Sequence, residues 1–375
     1  MSLRAALFLS CVFALPGCTR TDSSSASTSG QAGIIPTAAA APVIGEKKET
    51  STIRFIGRFD QSDPKAVRFA WSGSAIATRF QGTGITVRLK EETGKNHFQV
   101  FVDGEPKSVV KLDPKNETYV LAKDLPDGPH DLVLYKRTEA RAGEVAFLGF
   151  EPQGPTAKLL PTASAPERRL EFIGDSITTG FGIEGPGPAC GYNPNEQNEG
   201  ITYAGLTARE LKADHATLAW SGKTILEMTE MWDRTLPARA DSKWDFQKWT
   251  PHAVVLNIGT NNFALADPGE ERFVRLYSQL VARVRKTYPD ALIVCILGPM
   301  LTDVYPENHH NLTQAKKYMK VAMAKLKADD KKVEYLELGE QKHSDGLGCG
   351  YHPGPKTQKS NAERLTALLK EKLAW

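Results

Sequence analysis

Cysteine is scarce in this chain, with five among 375 residues. That is too few to staple a disulfide scaffold, and with neither a CxxC pair nor an HExxH segment, no structural zinc site or zinc protease is announced. Charge of one sign is missing as well: 47 Lys and Arg stand against 44 Asp and Glu, for a net charge of +3. So balanced a chain has no global field to gather phosphates. It also lacks a basic stripe with interleaved aromatics, so nucleic acid is not an expected partner. Long apolar runs are absent: the N-terminal one, ending at Leu15, is about half of the ~20 residues a bilayer span needs. What is present, 41% hydrophobic and 24% charged residues, is ordinary globular composition with length enough for two domains. Collagen-like, wholly disordered and polytopic membrane proteins are thereby excluded.

Residues 1–18 read as an export signal. One cation, Arg4, precedes an apolar stretch of h-region length. Leu15-Pro16-Gly17-Cys18 then resembles a bacterial lipobox, in which Cys18 is lipidated after cleavage. Proline before the glycine departs from that pattern; an ordinary secretory signal is the alternative, and either one exports the chain. The expected location is the bacterial cell envelope, in the periplasm or at the cell surface, with the lipid as the contact to the membrane. Residues 19–50 are rich in Ser, Ala, Thr and Pro and cannot bury enough apolar surface to offset ordering entropy, so they read as a disordered tether.

Two rhythms follow. Over 51–152, short alternating runs recur about every ten residues, such as 75–80, 84–90, 97–104, 118–122, 130–138 and 144–150, with Asp103-Gly104 and Pro126-Asp127-Gly128 as turn signals. This spacing predicts an all-β sandwich, jelly-roll-like. His97 and His130 fall on strands and read as half-exposed strand histidines. After a Pro-rich linker, 153–168, apolar strands alternate with helical stretches near 203–212, 270–287, 313–327 and 356–373. That pattern predicts an α/β domain over 169–375, a flavodoxin-like doubly wound parallel sheet.

In such sheets chemistry gathers at the carboxyl ends of the strands. Those ends carry Gly174-Asp175-Ser176, then Ser221-Gly222-Lys223, then Gly259-Thr260-Asn261-Asn262, and a final loop with Asp345, Cys349, Gly350, Tyr351 and His352. A serine hydroxyl needs an adjacent base, which His352 can supply. The tetrahedral intermediate of acyl transfer needs donors for its oxyanion. The backbone N–H groups of Ser176 and Gly222 and the side-chain amide of Asn261 are the candidates.

These four blocks, in this order, resemble the SGNH (GDSL-like) hydrolases. With a preceding β-sandwich and a late GxxCxxHP, the chain is most similar to carbohydrate esterase family 2. The resemblance implies a serine acetylesterase, of the acetylxylan-esterase kind, that removes O-acetyl groups from polysaccharides or oligosaccharides through a Ser176–His352 pair and without a metal or other cofactor. No protein partner is implied. The common SGNH scheme has an Asp three residues before the histidine, where this chain has Cys349. The ring would then be oriented either by Asp345 or, as the carbohydrate esterase family does it, by a backbone carbonyl near Cys349-Gly350. Asn262, standing where Asp is usual, is expected to shape the loop, and Asp175 to fix the serine turn.

Around that site, Cys190 and Cys349 are candidates for a disulfide holding the histidine loop, with two reduced thiols as the alternative. Cys295, within an apolar strand, reads as core. Tyr351, Trp232 and Tyr305 are candidate platforms for sugar rings, core packing being as good a reading of Trp232. His309-His310 reads as a solvated loop pair. Other functions remain open: a degenerate esterase that binds glycan as a lipoprotein, a short-chain lipase or thioesterase of the same superfamily, or an acyltransferase.

Overall fold

The computed structural model describes residues 45–48, 51–264 and 266–375. The signal, Cys18 and nearly all of the tether lie outside the described residues. The exception is β1 (Gly45–Lys48), placed in the tether by sequence, which pairs antiparallel with a short strand far along the chain.

The first half contains β2 (Ile53–Ile56), β3 (Val67–Phe69), β4 (Ala75–Gly82), β5 (Gly84–Lys90), β6 (His97–Val102), β7 (Glu105–Lys111), β8 (Thr118–Ala122), β9 (Gly128–Lys136), β10 (Val145–Gln153), β11 (Lys158–Leu160) and β12 (Ala163–Ser164), the partner of β1. One antiparallel sheet runs β3-β10-β5-β8; the other runs β11-β4-β9-β6-β7, with β2 also on β4. The period-two pattern does its expected work: in β5, Ile85, Val87 and Leu89 are fully buried while Arg88 and Lys90 face water. Phe69, Phe80, Phe98 and Leu134 meet them in one core. Burying each such side chain stabilises by about 1.5–3 kcal/mol. Strand β7 gave no apolar signal because it is an edge strand with mostly exposed side chains.

The second half contains β13 (Arg169–Gly174), α1 (Ser176–Thr179), α2 (Tyr203–Glu210), β14 (Asp214–Ala219), α3 (Ile225–Met231), β15 (Ala253–Asn257), α4 (Glu270–Thr287), β16 (Leu292–Leu297), α5 (Asn311–Asp329), β17 (Val333–Glu337) and α6 (Pro355–Leu373). All strand pairings are parallel, in the order β14-β13-β15-β16-β17. Counted within the domain this is 2-1-3-4-5, so the switch point lies between β13 and β15, where a crevice opens at their carboxyl ends. Leu170 and Phe172 pack with α2 and α6 on one face; Ile173, Leu256 and Cys295 pack with α3, α4 and α5 on the other. Cys295 is core, as expected. Helix α3 had escaped notice because it is only two turns long, yet Thr224 and Glu227 form a capping box at its start, a signal readable in sequence.

The two halves form one compact unit, tied by buried acids of the second half to groups of the first. Arg54 Nη1 reaches Asp214 Oδ2 at 2.7 Å, and Arg58 Nη2 reaches Glu171 Oε2 at 3.2 Å. Tyr135 donates its hydroxyl to Glu199, which also accepts from Thr217 at 2.8 Å. His97 corrects the expectation of half exposure: it is buried, with Nε2 2.9 Å from Asn195 Oδ1 in the second half. His130 stays local, its Nδ1 2.7 Å from Asp103 Oδ2. Among the described residues, no helix is long and apolar enough to cross a membrane.

Candidate active site

Strand β13 ends at Gly174, where a Cβ would lie 2.1 Å from Thr178 Oγ1. Only glycine permits the chain to turn so sharply into α1. Asp175 caps that helix, its buried carboxylate accepting from Ile177 N–H at 3.1 Å, so it fixes the turn as expected. Burial raises its pKa to about 7, opposed by the bond from Ile177. The turn sets Ser176 just past the carboxyl end of β13, at the switch point.

His352 arrives from the opposite loop. Its Nε2 is 2.7 Å from Ser176 Oγ and its Nδ1 is 2.9 Å from the carbonyl oxygen of Cys349. With Nδ1–H donating to the carbonyl, Nε2 is left as an acceptor facing the serine hydroxyl. The carbonyl is therefore the orienting group. Asp345 is not: its carboxylate pairs with Lys356 Nζ at 2.6 Å. A main-chain carbonyl carries no net charge, so the imidazolium gains less here than from a carboxylate. Burial pushes the His352 pKa down to about 4, against the pull of the Cys349 and Gly350 carbonyls; the ring of Phe181 lies with its centroid 4.5 Å from the imidazole.

The histidine loop is fastened to the stretch after α1. Cys190 and Cys349 form the expected disulfide, with Cα atoms 4.6 Å apart. Backbone bonds reinforce it, from Cys349 N–H to Gly182 at 2.9 Å and from Gly350 N–H to Cys190 at 3.0 Å. Phe181 was not singled out in the sequence, since an aromatic two residues beyond a helix has no distinguishing pattern.

The three candidate oxyanion donors follow the ends of neighbouring parallel strands, β13, β14 and β15. Gly222 has φ +82°, a left-handed conformation that favours glycine, and a Cβ there would meet nothing within 4 Å. The turn therefore faces open space. Among the described residues, neither Ser176 N–H nor Gly222 N–H has an acceptor. Asn261 Nδ2 donates one hydrogen to the Lys223 carbonyl at 3.1 Å, which fixes the amide and leaves its second hydrogen without an acceptor among the described residues. Asn262 shapes the loop: its Oδ1 accepts from Ile225 N–H at 3.1 Å, tying the third strand end to α3.

The three proposed sugar platforms separate. Trp232 is not a platform: it is 0% exposed, stacks near Phe246 and Tyr288, and donates Nε1–H to Glu171 at 2.7 Å. Tyr351 is 58% exposed beside His352, its carbonyl held by Gln341 Nε2 at 2.7 Å. Tyr305 is 77% exposed on the loop after β16, and among the described residues it makes no hydrogen bond or ring contact to Ser176 or His352. His309 and His310 are exposed, just ahead of and capping α5. Cys190, Glu196 and Cys349 lie close enough to share a metal, but both sulfurs are spent in the disulfide.

Comparison with known proteins follows the same division. Residues 55–162 match the family described as carbohydrate esterase 2 N-terminal, and residues 172–359 match the GDSL-like lipase/acylhydrolase family. The cellulase/esterase CelE of Acetivibrio thermocellus is 39% identical over 333 residues, covering 86% of this chain and 40% of that protein; the chain thus spans less than half of that relative. An acetylxylan esterase/glucomannan deacetylase of Cellvibrio japonicus is 24% identical, covering 86% of this chain and 89% of its own length. Among solved structures, a family two carbohydrate esterase from Clostridium thermocellum in complex with cellohexaose superposes with a TM-score of 0.81 at 39% identity, covering 86% of this chain and 99% of that one.

Proposed function

Because the chain belongs to carbohydrate esterase family 2, we propose that it is a serine acetylesterase that removes O-acetyl groups from a polysaccharide or oligosaccharide. The observation that carries this reading is the 2.7 Å contact between Ser176 Oγ and an imidazole whose other nitrogen rests on the Cys349 carbonyl.

The steps follow from the geometry. Ser176 Oγ attacks the acetyl carbonyl carbon while His352 Nε2 takes its proton. Negative charge then develops on the former carbonyl oxygen, which the N–H groups of Ser176 and Gly222 and the amide of Asn261 receive. Collapse of this intermediate breaks the ester bond, and the sugar oxygen leaves with the proton from His352. Water, deprotonated by the same imidazole, releases acetate from the acyl-enzyme. Tyr351, exposed beside the base, is the candidate surface for the sugar.

Export and lipidation at Cys18 belong to the same proposal, supported by the leader sequence. Loss of radiolabelled palmitate from a Cys18→Ala protein would bear out the anchor. For the chemistry, acetate release from acetylated xylan and glucomannan should fall to background in Ser176→Ala; retained hydrolysis would end the reading.

A further inference from the structure

The oxyanion pocket is built on the α/β half, yet the turn carrying its second donor is gripped from the sandwich. Just after β9 the chain reaches Glu139, which is fully buried. Its Oε2 accepts the Ser221 backbone N–H at 2.7 Å, and its Oε1 accepts the Ser221 hydroxyl at 2.7 Å. Two residues on, Arg141 Nη2 donates to the Ser221 carbonyl oxygen at 3.3 Å, with its guanidinium 5.2 Å from the Tyr192 ring. Glu139 is itself fixed, since its N–H donates to Gln197 Oε1 at 3.3 Å and its carbonyl accepts from Lys136 Nζ at 3.2 Å. Ser221 Oγ also lies 3.2 Å from Thr179 Oγ1 in the nucleophile helix α1.

The covalent geometry gives these contacts a direction. In a trans peptide the carbonyl and the following N–H point to opposite sides. The Ser221 carbonyl and the Gly222 N–H belong to one such unit, so a group that pulls the carbonyl toward the sandwich turns the N–H away from it. Gly222, with φ +82° and no atom within 4 Å of where a Cβ would lie, has no side chain to hold that unit in place. The peptide is therefore held from outside.

We propose that Glu139 and Arg141 are positioning residues of the oxyanion hole, fixing the Ser221–Gly222 peptide so that the Gly222 N–H faces the acyl adduct on Ser176. The sandwich is then a working part of the catalytic apparatus. The inference rests on the esterase reading and adds to it the source of the second donor's alignment. A misaligned donor weakens stabilisation of the transition state and leaves the ground-state complex nearly untouched.

The test uses the whole mature chain with p-nitrophenyl acetate and acetylated xylan, comparing wild type, Ser176→Ala, Arg141→Ala and Glu139→Gln. Activity in the wild type and none in Ser176→Ala secures the esterase reading. On that footing, Arg141→Ala should lower kcat about 10- to 100-fold, with KM changed less than about twofold. Millimolar guanidinium should restore part of the rate in Arg141→Ala and none in Asn261→Ala, a response that a purely structural contact would not give. If Glu139→Gln folds, as judged by its melting temperature, it should show the same split between kcat and KM. If it does not fold, Arg141→Ala decides alone. A folded Arg141→Ala with kcat within about threefold of wild type, or with the loss confined to KM, overturns the inference and leaves the esterase reading intact. Equal inactivity of wild type and Ser176→Ala overturns both.

Discussion

The half-buried, carbonyl-held imidazole makes a definite statement about pH. An ordinary histidine titrates near 6.5, but burial lowers His352 to about 4. Only its neutral form can take the serine proton, so activity persists as pH falls and is lost only through the lowered pKa. At pH 5 about 90% of the imidazole is neutral if its pKa is near 4, against about 3% for an unperturbed one. Phe181 is the ring that covers it, at 4.5 Å, so Phe181→Ala should admit water and move the acid limb up toward 6.5. The fall in relative rate at pH 5 could then reach about 30-fold. The assay is kcat/KM for p-nitrophenyl acetate from pH 3.5 to 8, which reports the free enzyme. A wild-type limb at or above pH 6, or a Phe181→Ala limb unmoved from the wild-type position, would refute desolvation as the controlling effect.

Asn261→Ala removes one oxyanion donor and should lower kcat by about 10²–10³, with KM little changed in steady-state kinetics. Cys190→Ser opens a bridge spanning 159 residues, worth about 5 kcal/mol in chain-entropy terms. Urea unfolding should show the loss, while the backbone bonds from Cys349 and Gly350 keep part of the activity. Arg58→Ala leaves the buried Glu171 charge without its cation and should cost about 3–5 kcal/mol by the same measurement.

The site was legible in the sequence where chemistry and position coincide. Ser176, Gly222 and Asn261 each stand soon after an apolar strand run, with His352 in the loop beyond the last one, and a parallel sheet gathers such ends at one edge whatever the details of packing. Their type and order therefore carried the prediction. The long helices and the alternating strands were legible for the same reason, since burial on one face leaves a periodic trace. The two-turn α3 and the edge strand β7 left little trace, because short or exposed elements need few apolar residues.

Trp232 stayed open between platform and core because a large aromatic near a strand end looks the same whether it faces a crevice or a core. Its burial against Phe246 and Tyr288 depends on residues brought together only by folding. The same holds for the choice between Asp345 and the Cys349 carbonyl, a matter of which acceptor lies within about 3 Å of Nδ1; Lys356 draws the aspartate elsewhere. The hold of Glu139 and Arg141 on Ser221 has no local signature at all, since the partners stand some 80 residues apart. Sequence alone determined the residue types proposed to react and the sheet that would align them. Tertiary structure alone decided how each donor and ring is aimed, because direction is set by contacts between distant segments and no periodicity records it.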